Sequence, residues 1–248
     1  MRDYFKILIA AFVLCIFVSL RAERLSFSID YLGFSVATVD MFLGSDDDIE
    51  HKITVTSRSS RFIDFFTHSF ENTYVVYADS LFRPKLYLKD INQRNFQEKA
   101  EIIYSFETSE AMFYDSISER SLKYHVLEDT RDFFSALYYL RTLNLKENQT
   151  LSLDVAGKIV LISSIFTKAE FIRTSIGGFD ANRVEISFKW LDDTRKMRSD
   201  ILTNNLWLEE NKLIFWFTDD ERQIPIKSQY VMKPFNVNWS IKSFENPS

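Results

Sequence analysis

The chain alternates. Leu25, Phe27, Ile29 and Tyr31 are separated by Ser26, Ser28 and Asp30, and Val184, Ile186, Phe188 and Trp190 by Glu185, Ser187 and Lys189. Leu151, Leu153 and Val155 repeat the pattern against Ser152, Asp154 and Ala156. Side chains two apart on a strand share one face of a sheet, so each run predicts a strand with one buried side. Less regular runs of the same kind cover 52–58, 73–78, 101–107, 121–127, 158–165, 197–202, 206–208, 212–218, 224–231 and 236–242. Turn-forming residues separate them: Gly33 divides the first run into two arms of a hairpin. Asp46-Asp47-Asp48, Gly177-Gly178 and Glu209-Glu210-Asn211 fall between later runs.

One stretch has a different period. After Asp129-Thr130-Arg131-Asp132, the apolar residues Phe133, Phe134, Leu137, Tyr138 and Leu140 are spaced by one, three and four. That spacing predicts a helix over 130–142, capped by Asp129 or Thr130, with Asp132 placing negative charge at the positive end of the helix dipole. Its bulky stripe would close one end or face of a sheet. Residues 60–70 are read as a second short helix or a loop. With no repeat, linker or low-complexity tract, residues 23–248 are expected to form a single β-rich domain. The expected fold is all-β: a large curved antiparallel sheet or incomplete barrel with one inserted helix, because twisted sheets of a dozen strands curl.

The beginning of the chain changes the picture of where this domain works. Arg2 and Lys6 precede an apolar run, Ile7 to Leu20, of 14 residues. A membrane-spanning helix needs about 20, so residues 1–22 read as a signal peptide cut near Ala22. An uncleaved N-terminal anchor is the alternative, since Leu20 and Arg21 are unusual before a cleavage point. The one cysteine, Cys15, lies mid-run after Phe12, Val13 and Leu14, which argues against lipid modification. A chain of about 226 residues remains, without cysteine and held by its core alone. The expected location is periplasmic or otherwise exported.

Charge and motifs remove whole classes of function. The net charge of −5 becomes about −7 once Arg2, Asp3, Lys6 and Arg21 are set aside, and basic residues are scattered, which argues against nucleic acid. Neither a phosphate loop nor a dinucleotide fingerprint occurs, so no nucleotide cofactor is expected, and there is no nucleophile elbow. His51, His68 and His125 are far apart and lack metal-site spacing, and Asp46, Asp47, Asp48 and Glu50 lack the spaced ligands of a calcium loop. No cofactor and no metal are therefore expected. Asp219 and Asp220 are the most tempting acid–base pair, with Glu170 as a third carboxylate for an envelope-polymer hydrolase. Neighbours on a strand point to opposite faces, and a turn in which Arg222 pairs with a carboxylate explains them better.

Aromatic residues are dense, with 24 Phe, 11 Tyr and 4 Trp. They fit either a solid core or an apolar cavity within a curved sheet. In the cavity reading Trp207, Trp216 and Trp239 are the candidate ligand contacts, and Arg141, Glu170 and Arg222 are candidate charges at its mouth or snorkelling on a wet face. The expected partner is an apolar ligand or, through exposed sheet edges, another envelope protein.

Four stretches carry a resemblance: LSFSIDYLGFSVATVDM (25–41), DTRDFFSALYYLRT (129–142), KAEFIRTSIGGFDANRVE (168–185) and RKMRSDILTNNLWLEENKLIFWFTDDERQIPIKSQYVM (195–232). Together they resemble the bacterial exported proteins of domain of unknown function 3108. The most specific mark runs from Trp216 through Asp219, Asp220 and Arg222 to Pro225. The resemblance implies export and a curved β architecture, and it carries no agreed activity. Residues 43–120 follow no pattern that can be aligned to it.

Overall fold

The computed structural model describes residues 22–46, 49–61, 69–94, 96–155, 157–191, 212–231 and 235–246. The leader through residue 21, the segments 197–202 and 206–208 with Trp207, the turn residues Glu209, Glu210 and Asn211, Asp47 and Asp48, and residues 62–68 with His68 lie outside the described residues.

Eight strands come first: β1 (Glu23–Tyr31), β2 (Phe34–Asp46), β3 (Ile49–Ser59), β4 (Glu71–Ala78), β5 (Pro84–Gln93), β6 (Phe96–Ser105), β7 (Glu110–Asp115) and β8 (Arg120–His125). A two-residue β9 (Thr130–Arg131) leads into the helix α1 (Phe133–Leu140). Then follow β10 (Gln149–Asp154), β11 (Ile159–Thr174), β12 (Gly177–Trp190), β13 (Lys212–Thr218), β14 (Pro225–Val231) and β15 (Val237–Glu245). All fifteen form one sheet in the order β8-β7-β6-β5-β4-β3-β2-β1-β15-β14-β13-β12-β11-β10-β9. Every pairing is antiparallel except that of β9 with β10. The chain thus builds one meander outward from β1 and a second that returns to it, with β15 paired to β1 from Arg24–Glu245 to Tyr31–Val237.

The alternation read from the sequence does what it predicts. Leu25, Phe27 and Ile29 face inward and are buried, as are Val184, Ile186 and Phe188. The Gly33 hairpin is the β1–β2 turn. Two strands escaped the pattern. β5 mixes apolar and polar residues on both faces, and β7 exposes Met112 and Tyr114 on its outer side.

The two edge strands, β8 and β9, are only four residues apart in the chain, so the sheet returns to its own start. Among the described residues no ladder joins them. Side chains do. Asp154 at the end of β10 accepts hydrogen bonds through one oxygen from Tyr104 of β6 (2.7 Å) and Tyr124 of β8. Its other oxygen accepts from the Gly157 amide at 2.9 Å. Gly157 has φ +91°, and a Cβ there would lie 2.6 Å from a Leu122 methyl of β8. The positive φ favours glycine here, and any larger residue would also have to push the Leu122 side chain aside. The sheet is therefore an incomplete barrel closed by a side-chain seam.

The helix lies inside this barrel, across the end at which β1 begins. It is shorter than the expected 130–142, because Thr130 and Arg131 are held in a bridge to β10. Its cap is Asp132 rather than Asp129 or Thr130: the carboxylate accepts from the amides of Phe134 and Ser135. Thr130 instead bonds Ser152, and its hydroxyl accepts from the Leu127 amide. A buried arginine holds each end of the helix. Arg131 donates to the Leu81 carbonyl in the β4–β5 turn and lies over the Tyr139 ring at 3.6 Å. Arg141 grips Glu23 with two hydrogen bonds of 2.6 and 2.7 Å and reaches the Arg222 carbonyl in the β13–β14 turn.

Two predictions follow from this packing. Replacing Arg141 by alanine strands a buried carboxylate at Glu23, and we expect a loss of about 3–5 kcal/mol in urea unfolding. Arg58→Ala, which breaks the solvent-exposed pair with Glu71, is expected to cost less than about 1 kcal/mol; equal losses would refute the distinction. The second concerns pH. Burial raises the Asp132 pKa from 3.8 to about 6 against the hydrogen bonds to its carboxylate. The native state then holds a proton that the unfolded state has lost between about pH 4 and pH 6. Stability from this group is full below pH 4 and falls as pH rises through 6, by on the order of 3 kcal/mol. Unfolding titrations at pH 4.5 and 7 should show that fall in the native chain and a much smaller one in Asp132→Asn.

Candidate functional site

The helix is not centred in the barrel. On one side it meets the β3–β5 wall directly: Phe134 packs on Tyr74 with ring centroids 5.0 Å apart, and Tyr138 stacks on Phe82, which in turn stacks on His51 at 4.1 Å. Burial lowers the pKa of that histidine, so it sits as a neutral core side chain. On its other side the helix leaves a crevice. Phe133, Phe134 and Leu137 form one lip, Leu213, Phe215, Ser228 and Tyr230 the facing wall, and Phe27, Met41 and Trp239 the floor. A continuation, bounded by Leu140, Leu153, Ile186 and Phe188, passes along the same face of the helix. The two spaces measure about 20 and 10 Å³. About one water centre fits in each. The aromatic density of the sequence thus goes mainly into a filled core, with a narrow apolar seam along one face of α1.

The structure divides the sequence-predicted site residues among three places. Trp239 and Pro225 reach the crevice: Trp239 is half-buried, and its ring meets Phe27 at 6.2 Å. Trp216 is on β13, and it points the opposite way from Phe215 and Phe217. It is covered from outside by the end of the long β11–β12 hairpin, whose strands beyond Ala181 pair only with each other. That arm folds back over the sheet, so that Ser175 donates to the Ile241 carbonyl and Glu170 accepts the Trp216 indole proton at 2.7 Å. Lys227 lies 4.7 Å from the ring centroid. Glu170 also pairs with Lys168, and these hydrogen bonds hold its pKa down. It therefore meets neither an arginine at a cavity mouth nor the aspartates 219 and 220.

Asp219, Asp220 and Arg222 lie in the β13–β14 turn, and Pro225 opens β14. Asp220 accepts from the Thr218 hydroxyl, the amides of Arg222 and Gln223, and the Arg222 guanidinium. Burial works against ionisation, but Thr218 and Arg222 outweigh it and keep the carboxyl below its usual range. Asp219 turns away to Asn182 at 2.8 Å and Lys146 at 3.2 Å. Gln223 then donates to the carbonyls of Arg141 and Leu143, tying the turn to the end of the helix. Arg141, expected at a mouth or on a wet face, is a buried structural ion pair. No group of three or more His, Cys, Asp or Glu among the described residues is arranged to hold a metal.

Sequence reasoning missed the polar side of the barrel interior. The buried Lys89–Glu98 pair (2.5 Å) projects inward from β5 and β6, near Ser57 and Asn72. Strand parity placed Lys89 inside only once β5 was known to be a strand, whereas Ser57 lay within the run read over 52–58. Burial raises the pKa of Asp154, partly offset by Tyr124 and Tyr104.

No curated protein matches the chain. Among solved structures, a β-barrel-like protein of domain of unknown function DUF1849 from Brucella abortus superposes with TM-score 0.59 at 10% identity, over 92% of this chain and 99% of that one. That likeness shows a shared fold. An exported protein with a YmcC-like fold from Bacteroides fragilis reaches 0.35 at 10% identity, covering 90% and 95% of the two chains. A Parabacteroides distasonis lipoprotein reaches 0.34, also at 10% identity, over 91% and 95%. The sequence itself matches the model for the protein family of unknown function DUF3108 over residues 26–234, and the chain belongs to that family.

Proposed function

We propose that this is a non-catalytic, exported envelope protein that holds an apolar or amphipathic ligand between α1 and the β13–β15 wall. The observation that carries this reading is the one-sided packing of the helix. α1 is locked to β3–β5 by aromatic stacking, while toward β13–β15 it faces a mainly apolar lining, with Lys227 and Ser228 as its polar members, across two adjoining narrow spaces. The mainly apolar lining favours an acyl chain over a polar substrate, and because each space admits only about one water, binding requires the two walls to part. Sheet-edge pairing with another protein is less favoured, because the seam brings both edge strands side by side. The carboxylates proposed for hydrolysis are committed to a turn and to an indole.

Export rests on the sequence of residues 1–22, and no helix among the described residues is long and apolar enough to cross a membrane. Cleavage after Ala22 leaves Glu23, the first residue of β1, as the new terminus.

Two experiments test the reading. Native mass spectrometry of protein purified gently from the periplasm is expected to show an added mass that organic extraction identifies as lipid. Ser228→Phe, which fills the crevice from a position 4% exposed, should abolish it while the far-ultraviolet spectrum stays native. A clean unliganded mass at saturating lipid refutes ligand binding. The same spectra report the N-terminus: a chain beginning at Glu23 supports export with cleavage, and a retained leader refutes it.

A further inference from the structure

The barrel interior is chemically two-sided, and its polar side contains groups that the fold leaves unanswered. On the inward face, Ser57 of β3 lies opposite Asn72 of β4. Asn72 lies opposite Ile91 of β5, which lies opposite Glu98 of β6. Lys89, two residues before Ile91, bonds Glu98 and lies opposite Tyr74. Ser57 and Asn72 are both 0% exposed. Neither the Ser57 hydroxyl nor the Asn72 side-chain nitrogen or oxygen has a hydrogen-bond partner in the structure. An unpaired buried polar atom is costly, and three on two facing side chains mark a place where something else binds.

This strip adjoins the crevice. Phe27, on its floor, lies opposite Val39, and Val39 lies opposite Ser57. One valine separates the apolar space from the polar pair. Resting on the ligand-binding reading above, we infer that the ligand is amphipathic and that Ser57 and Asn72 bind its uncharged, hydroxyl-bearing head group. The chemistry selects that class. Asn72 offers both donors and an acceptor, Ser57 offers either, and a hydroxyl matches both. Lys89 and Glu98 neutralise each other, so they supply no net charge to balance an ion. The buried carboxyl of Asp154 lies beyond them on the same polar side, and an anionic head group would meet it in a medium of low polarity.

The test is a titration of the full mature chain, followed by Trp fluorescence and native mass spectrometry, with 1-monooleoylglycerol and with oleate at pH 8. Monooleoylglycerol is expected to bind at least tenfold more tightly than oleate. Asn72→Leu should weaken monooleoylglycerol at least tenfold and leave oleate within twofold. It should also raise the melting temperature, because it removes an unpaired amide. Ser57→Ala, a milder change, should reduce the same preference about threefold and guards against a folding defect in the first variant. Equal binding of the two lipids, or a preference indifferent to both substitutions, overturns the inference and leaves Asn72 a site for buried water alone. If neither lipid binds the native chain, the ligand-binding reading itself falls.

Discussion

Closure of the sheet is the constraint on which everything else depends. Fifteen strands run continuously from β8 to β9, and a sheet that long curls until its edges meet. Meeting edges normally pair by backbone hydrogen bonds. Here β9 contributes two residues, so the last contact passes to Asp154, which collects Tyr104, Tyr124 and the Gly157 amide. A carboxylate buried at this place is tolerable because its lone pairs are occupied, and its partners come from three separate stretches of the chain. The geometry that closes the barrel also sets its bore. That bore is wide enough to need a helix inside it.

The helix meets the need on one side only. Its stacking partners Tyr74 and Phe82 come from β4 and the β4–β5 turn, and its two terminal arginines fix it against the rims of both meanders. Because the arginines are spent on a carbonyl and a carboxylate at the end of the barrel, they hold the helix along its axis. The apolar contacts on its two flanks then decide how it sits sideways. Aromatic faces stack tightly on the β3–β5 side, while Leu137 and Phe133 face branched and aromatic side chains that do not interlock with them. The narrow crevice follows from that asymmetry.

Much of the architecture was legible in the sequence. Strict alternation located β1 and β12, and the change of period at Phe133 located the helix. Gly33 marked a hairpin turn, and the pair Gly177-Gly178 fell just past one, at the start of β12. The strands that were missed, β5 and β7, have faces less different in polarity, since their inner faces carry Lys89 and Asp115 and the outer face of β7 carries Tyr114 and Met112. The helix start was misread for a specific reason. Thr130 and Asp132 are equally good caps by residue type, and only the bridge of Thr130 to Ser152 in β10 decides between them. Long-range pairing of that kind leaves no local trace.

The site was much less legible, and the difference lies in what each residue type can report. Tryptophan advertises burial but not direction: Trp216 and Trp239 both belong to the barrel wall, and only the register of β13 and β15 sends one outward under the hairpin arm and the other into the crevice. The motif that most clearly marks the family behaves similarly. Asp220 shapes the turn, Arg222 lends its carbonyl to Arg141, and Gln223 donates to the carbonyls at the end of the helix. The last two contacts join the turn to the end of α1, and only Pro225, at the end of the motif, touches the crevice. A segment recognisable for such reasons identifies a fold whose helix must be docked in one position. It is silent about the ligand, which depends on the unpaired polar groups and apolar lining that the docked helix leaves in the interior.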